Sequence, residues 1–114
     1  MKIMFAENHA AFASTVCRAF LSAHSIEVIP TLIEARRKLE NNAFDLLLVD
    51  FDLDDGKEDE LVCDVKARYP NLKVIAVSSH DAGNRALKIA GADAVCGKME
   101  FDHIQKVIES VGLK

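Results

Sequence analysis

Side chains that could carry out chemistry follow four of the short apolar runs in this 114-residue chain. They include carboxylates, an amide, a hydroxyl and an ammonium group. In chain order they are Glu7, Asn8, Asp50, Asp52, Ser78 and Lys98. Asp50 is the most informative of them, because it ends the apolar run 46–49 and opens an acidic segment that extends to Gly56. A carboxylate at the end of a buried strand is expected to be exposed in a crevice.

Clustered oxygen atoms of this kind are suited to a hard divalent cation, since Mg²⁺ prefers carboxylate, amide and water oxygens. A cation would also reduce the repulsion between Glu7 and Asp50. With Mg²⁺ and Lys98 neutralising phosphoryl oxygens and Ser78 donating a hydrogen bond, Asp50 could attack phosphorus as a nucleophile. The chemistry that these groups favour together is transfer of a phosphoryl group to an aspartate.

For these side chains to meet, the runs that precede them must be strands that end at one edge of a sheet. The runs have the length and composition of buried strands and cover residues 3–6, 26–29, 44–49, 74–77 and 94–96. Between and after them, apolar residues recur at helical spacing. The second helix is expected to begin at a capping box formed by Thr31 and Glu34, and the fifth to cover residues 101–111.

Alternation of five strands with five helices predicts a doubly wound α/β domain. Its strands are expected to be parallel, joined by right-handed crossovers, with helices covering both faces of the sheet. In such a sheet the carboxyl ends of the strands lie along one edge, where ligands usually bind. Residues far apart in the sequence can therefore form one site.

The composition is that of a single domain covering residues 1–114, with half of the residues apolar. The formal net charge is -4, with one tyrosine and no tryptophan, which argues against direct nucleic-acid binding and against an anionic membrane as partner. Cys17, Cys63 and Cys96 lie in apolar stretches without CxxC spacing and are interpreted as reduced core thiols. With no leader-like N-terminus, the expected location is the cytoplasm.

The chain resembles the receiver domain of two-component response regulators over essentially its whole length. The residues that carry the resemblance are the segment 6–9, Asp50, Ser78 and the segment 91–98, which reads Gly-Ala-Asp-Ala-Val-Cys-Gly-Lys. The resemblance implies a flavodoxin-like strand order of 2-1-3-4-5 and Mg²⁺ as the cofactor. It implies that Asp50 is the phospho-acceptor, that Ser78 is a switch hydroxyl and that Lys98 contacts the phosphoryl group. The implied metal ligands are Glu7, Asn8, Asp50 and the main-chain carbonyl of Asp52.

The resemblance also implies partners. The phosphoryl group would come from a phosphohistidine on a sensor histidine kinase or a histidine phosphotransfer protein. The signal would leave through a downstream protein target or a fused output domain, by way of the fourth helix, fifth strand and fifth helix, and a homodimer is possible. Such a domain catalyses only its own phosphorylation and dephosphorylation and is not otherwise an enzyme.

Three of the departures from the family pattern bear on the metal site and on the switch. Asn8 replaces an acidic metal ligand, Val95 replaces a tyrosine or phenylalanine that moves with the switch hydroxyl, and Met99 replaces a proline. They keep open a second interpretation, a pseudo-receiver that binds partners with little or no phosphorylation. A third interpretation is a small phosphatase that uses Asp50 as nucleophile and Asp52 as acid and base.

Overall fold

Five short strands form one parallel sheet in a computed structural model of the chain, which describes residues 1–53 and 55–113. The strands are β1 Lys2–Ala6, β2 Ser25–Ile29, β3 Leu46–Val49, β4 Lys73–Ala76 and β5 Ala94–Val95. Their order across the sheet is β2-β1-β3-β4-β5, and every neighbouring pair is parallel. The predicted fold class and strand order are confirmed.

Helices connect the strands and cover both faces of the sheet. They are α1 Ala10–Phe20, α2 Leu32–Asn41, α3 Glu58–Arg68, α4 Asp81–Ala90 and α5 Ile104–Ser110. Half of the predicted capping box is present, because the Thr31 hydroxyl accepts a hydrogen bond from the Glu34 N–H at 3.2 Å. Gly91 ends α4 with a φ of 126°, a backbone conformation that favours glycine.

The end of the chain differs from the expected single helix 101–111. A 3₁₀ segment, Lys98–His103, comes first, and α5 begins only at Ile104. The interruption lies at Glu100, whose φ of -112° and ψ of 23° are not helical. Within this segment Phe101 is buried in the core, and the Lys98 N–H donates to the Ser78 carbonyl at 3.4 Å at the edge of the sheet.

Alternate residues of the central strands face two separate core layers. On one face, Met4, Leu47 and Val74 pack with apolar residues of α2, α3 and α4. On the other face, Phe5 and Leu48 pack with residues of α1, the 3₁₀ segment and α5. All four residues of β3 are buried, because helices cover both faces of this central strand. The strand that leads to Asp50 is therefore the most enclosed part of the sheet.

The interpretation of all three cysteines as core thiols is wrong for Cys63. Cys96 is buried and Cys17 is partly buried, but Cys63 is exposed, and all three are free thiols. In α3 the residues Leu61 and Val62 face the core, and the helical rotation of 100° per residue turns the next side chain toward solvent.

Among the helices of residues 1–53 and 55–113, none has both the length and the apolar character needed to span a membrane.

Candidate functional site

Backbone hydrogen bonds fix the positions of Glu7 and Asp50 at the carboxyl edge of the sheet. The Asp50 N–H donates to the Ala6 carbonyl at 3.0 Å, and the Glu7 N–H donates to the Ile29 carbonyl at 3.0 Å. The parallel ladder thus continues one residue beyond the strands, and it holds Glu7 and Asp50 at the ends of the neighbouring strands β1 and β3. The predicted meeting of strand ends is present in the structure.

Glu7, Asp50 and Lys98 form one ion cluster, called here the acceptor cluster. The Lys98 Nζ lies 2.9 Å from Glu7 Oε1 and 3.1 Å from Asp50 Oδ2. Asp50 is fully buried, and Glu7 is 1% exposed. The expectation that Asp50 is exposed in a crevice is therefore wrong. Its carboxylate can be buried because an ammonium group pairs with it, which reduces the cost of removing the charge from water.

Burial and the ion pairs have opposite effects on the pKa values of Glu7 and Lys98. Burial raises the pKa of Glu7, and the nearby Asp50 charge adds to the rise, while Lys98 and the His9 N–H at 3.1 Å oppose it. Burial alone would lower the pKa of Lys98, but Glu7 and Asp50 outweigh it and raise that pKa. Lys98 therefore remains an ammonium at neutral pH.

The chemistry of this edge fits a hard cation such as Mg²⁺ in one respect. Asp50 Oδ1 is buried and has no hydrogen-bond partner within the part of the chain that the structure describes. Glu7 and Asn8 are the residues that would supply further oxygen ligands to such a cation. In another respect the fit is reduced, since residues 1–53 and 55–113 contain no group of three or more His, Cys, Asp or Glu side chains placed to hold a metal. The ligand set would depend on the Asn8 amide.

The side chain of Asp52 is more exposed than those of the acceptor cluster. Its side chain is 38% exposed, and its Oδ2 is 3.5 Å from the His80 Nε2. The role implied for Asp52 concerns its main-chain carbonyl, which stays a prediction. Its side chain faces His80 at the rim of the site.

Ser78 is buried just after β4, and Asn84, which no sequence motif marks, holds its backbone. Asn84 Oδ1 accepts the Ser78 N–H at 2.9 Å, and Asn84 Nδ2 donates to the Ser78 carbonyl at 2.9 Å. We call this pair the α4 clamp. The Ser78 hydroxyl accepts a hydrogen bond from the His80 N–H at 3.1 Å. Asn84 lies three residues before the buried Leu87, and a polar residue on that face is the signal that could have revealed it.

Two further carboxylates anchor the acidic loop after Asp50. Glu58 is buried, and its Oε2 accepts the Leu53 N–H at 2.8 Å; burial raises the pKa of Glu58. Asp55 accepts the N–H groups of Leu32 and Ile33 at 2.9 and 3.2 Å, and these hydrogen bonds lower the pKa of Asp55. Neither role has a sequence motif, because both depend on which loop meets which helix.

Two of the residues that depart from the family pattern, Val95 and Met99, lie at the surface. Val95 is 40% exposed and Met99 is 88% exposed. Both line a cavity of about 370 Å³ that also reaches Ser78 and Lys98. The position that carries an aromatic ring in the family thus offers only a small aliphatic side chain beside the α4 clamp.

Neither a protein-family model nor a curated protein matches the sequence. Solved structures do match. A CheY-like response regulator receiver domain protein from Methanospirillum hungatei has a TM-score of 0.82 and 25% identity, over 96% of this chain and 92% of that chain. The receiver domain of a Francisella response regulator has a TM-score of 0.83 and 18% identity, over 96% and 94%. A Thermotoga maritima response regulator in complex with Mg²⁺ and BeF has a TM-score of 0.86 and 15% identity, over 96% and 97%.

Proposed function

We propose that this chain, whose fold is that of the response regulator receiver domains, accepts a phosphoryl group on Asp50. The observation that carries the proposal is the state of the Asp50 carboxylate. One oxygen is 3.1 Å from the Lys98 ammonium, and the other is buried with no hydrogen-bond partner among the described residues. A buried carboxylate oxygen with a free lone pair beside a fixed cation is suited to nucleophilic attack on phosphorus.

In the proposed reaction, an Asp50 oxygen forms a bond to the phosphorus of a phosphohistidine as the bond between phosphorus and the histidine nitrogen breaks. The nitrogen keeps the electron pair and is protonated by solvent. The product is an acyl phosphate on Asp50. The donor is a sensor histidine kinase or a histidine phosphotransfer protein, and the chain catalyses only its own phosphorylation and dephosphorylation.

The other site residues neutralise or bind the added phosphoryl oxygens. Lys98 already lies beside Asp50 and supplies a positive charge there. The bond from the His80 N–H uses a lone pair of the Ser78 hydroxyl and leaves the hydroxyl proton to donate to a phosphoryl oxygen. When bound, Mg²⁺ would add positive charge at the same oxygens, held by Glu7, Asn8, Asp50 and the Asp52 main-chain carbonyl.

The signal would be read by protein contact. We propose that the whole chain acts as one receiver domain and that a downstream protein or a fused output domain recognises its phosphorylated state, with a homodimer as a further possible form. Such recognition needs no nucleic acid or membrane at the chain itself, in keeping with its net charge of -4.

A pseudo-receiver is the second candidate. The observation that favours it is the set of side chains at the metal site, since the described residues bring no three acidic, His or Cys side chains together. In this alternative, Lys98 stays paired with Glu7 and Asp50, and the fold serves as a binding module.

Intact mass spectrometry with a small acyl phosphate donor and Mg²⁺ separates these functions. The receiver predicts a gain of one phosphoryl group that is absent from Asp50→Asn, which has nearly the same shape. No gain at high Mg²⁺ would instead indicate a pseudo-receiver. Sustained turnover of the donor that is lost in Asp52→Asn would indicate a phosphatase.

A further inference from the structure

The Lys98 ammonium has a third neighbour besides its two carboxylates. Its Nζ lies 4.8 Å from the centroid of the Phe12 ring. An ammonium over a ring face is attracted by the negative face of the aromatic quadrupole, most strongly where water is excluded. The Lys98 side chain is only 11% exposed, so this contact belongs to the partly dehydrated interior of the site.

Packing within the core fixes the orientation of the Phe12 ring. Phe12 meets Phe101 edge to face, with centroids 5.7 Å apart and an angle of 86° between the rings. Phe101 is buried and stacks on Phe5 at 5.8 Å. Because Phe101 and Lys98 belong to the same 3₁₀ segment, the contacts of Phe12 hold this segment against α1 at two residues.

We propose that Phe12 is a positioning residue for Lys98, with its ring as the wall that keeps the ammonium between Glu7 and Asp50. A ring face attracts a cation without fixing it in one direction, unlike a carboxylate oxygen. The ammonium can therefore move from Asp50 Oδ2 toward a phosphoryl oxygen without leaving its aromatic contact. This last step rests on the proposed function.

The chain provides a matched control for this inference. Phe20 lies on the same helix and also packs against Phe101, with centroids 6.3 Å apart. It is 40% exposed and lies about two turns beyond Phe12. Phe12→Leu and Phe20→Leu thus both remove a ring from Phe101, but only Phe12→Leu removes the ring under Lys98.

The first test uses NMR on the unphosphorylated protein and does not depend on the proposed function. In the wild type and in Phe20→Leu, the Lys98 methylene protons beside the ammonium are expected to be shifted upfield by the ring current of Phe12. In Phe12→Leu they should return to the range of the other lysines. Unchanged Lys98 shifts in a folded Phe12→Leu protein would overturn the proposal.

The second test measures the rate of Asp50 phosphorylation by a small phosphoryl donor at saturating Mg²⁺, at a temperature where both variants are folded. Phe12→Leu is expected to slow the reaction about three- to tenfold, while Phe20→Leu stays within about twofold of the wild type. Equal rates in the two variants would overturn the positioning role. If the wild type itself accepts no phosphoryl group, the proposed function fails while the NMR result still decides the contact.

Discussion

Different forces hold the two sides of the carboxyl edge of the sheet. On one side, the acceptor cluster places the Lys98 ammonium within 3.1 Å of both Glu7 and Asp50, so three formal charges share a buried space. On the other side, the α4 clamp joins Ser78 to Asn84 through two hydrogen bonds between neutral groups, each of 2.9 Å. Electrostatic attraction dominates the first region, and hydrogen-bond geometry dominates the second.

The difference separates the residues that would carry out phosphorylation from those that would signal it to a partner. An added phosphoryl group changes the charge that Lys98 balances, so the acceptor cluster must respond to it directly. Neither member of the α4 clamp carries a charge. The clamp can therefore respond to the phosphoryl group only if the Ser78 backbone, which makes both of its hydrogen bonds, moves. Val95, at the surface beside it, offers no ring to amplify such a movement. A substitution that disrupts one region should therefore leave the other intact.

The largest effect is expected from Lys98→Met, which removes the only cation of the acceptor cluster. Glu7 and Asp50 would then share a buried space without a counter-charge, and stability at pH 7 should fall by about 3 kcal/mol. Urea denaturation measures this change. Lys57→Met is the matched control, since the Lys57 side chain is 74% exposed and its pair with Glu60 spans 3.8 Å. Equal effects of the two substitutions would contradict the central role of charge in the cluster.

A smaller loss is expected from Asn84→Leu, which breaks the α4 clamp and leaves the Ser78 N–H and carbonyl buried without the Asn84 amide. The expected destabilisation is about 2 kcal/mol. Phosphorylation of Asp50 should continue, while hydrogen exchange at the start of α4 becomes faster. Asn41→Leu, at an exposed position of α2, is the control. Loss of phosphorylation in a folded Asn84→Leu protein would show that the two regions are not separable.

Asn8→Asp tests the metal side of the acceptor cluster. A charged oxygen replaces a neutral one, so Mg²⁺ should bind about tenfold more tightly. Isothermal titration calorimetry with Mg²⁺ measures the affinity, and Asn41→Asp controls for the added negative charge on the protein. An unchanged affinity in Asn8→Asp would mean that residue 8 does not face the ion.

The smallest effect concerns the pH dependence of stability through Glu58. Burial, aided by the charges of Asp50 and Asp52, raises the pKa of Glu58 above its ordinary value of 4.5. The stability that Glu58 contributes is therefore fully present below its pKa in the unfolded chain. It is lost as the pH rises through its pKa in the folded protein. Because glutamine does not ionise, Glu58→Gln should gain stability relative to the wild type between about pH 4.5 and 7.

Urea unfolding at several pH values measures this gain, with Glu60→Gln as the exposed control on the same helix. A difference between Glu58→Gln and the wild type that does not widen with rising pH would contradict the assigned cost of burying Glu58.

The sequence predicts the fold and the meeting of the strand ends because both depend on local patterns. Apolar runs identify the strands, and the carboxyl ends of parallel strands lie along one edge of the sheet. The sequence alone therefore predicts that the residues following these strands meet there, namely Glu7, Asp50, Ser78 and Lys98. The burial of Asp50 was missed because it depends on how Lys98 folds back over the edge. The position of Lys98 depends on the 3₁₀ segment that it begins, and the helical spacing of residues after 100 does not indicate this segment.

Other contacts at the site depend on tertiary packing alone. Phe12 reads from the sequence as an ordinary core residue of α1, and nothing in its spacing shows that its ring lies under an ammonium group. Asp55 accepts hydrogen bonds from backbone groups of a distant element, the start of α2, and backbone hydrogen-bond partners carry no residue-specific signal. Such contacts become visible only when the elements are assembled.

Phosphorylation of Asp50 is tested directly by locating the phosphoryl group on the chain. After treatment with a small phosphoryl donor and Mg²⁺, borohydride reduction converts an aspartyl acyl phosphate to homoserine, and tandem mass spectrometry of the peptide that spans residues 50–55 locates it. Homoserine is expected at position 50 and at no other aspartate. Homoserine at Asp52, or none in a protein that has gained phosphoryl mass, would contradict this expectation.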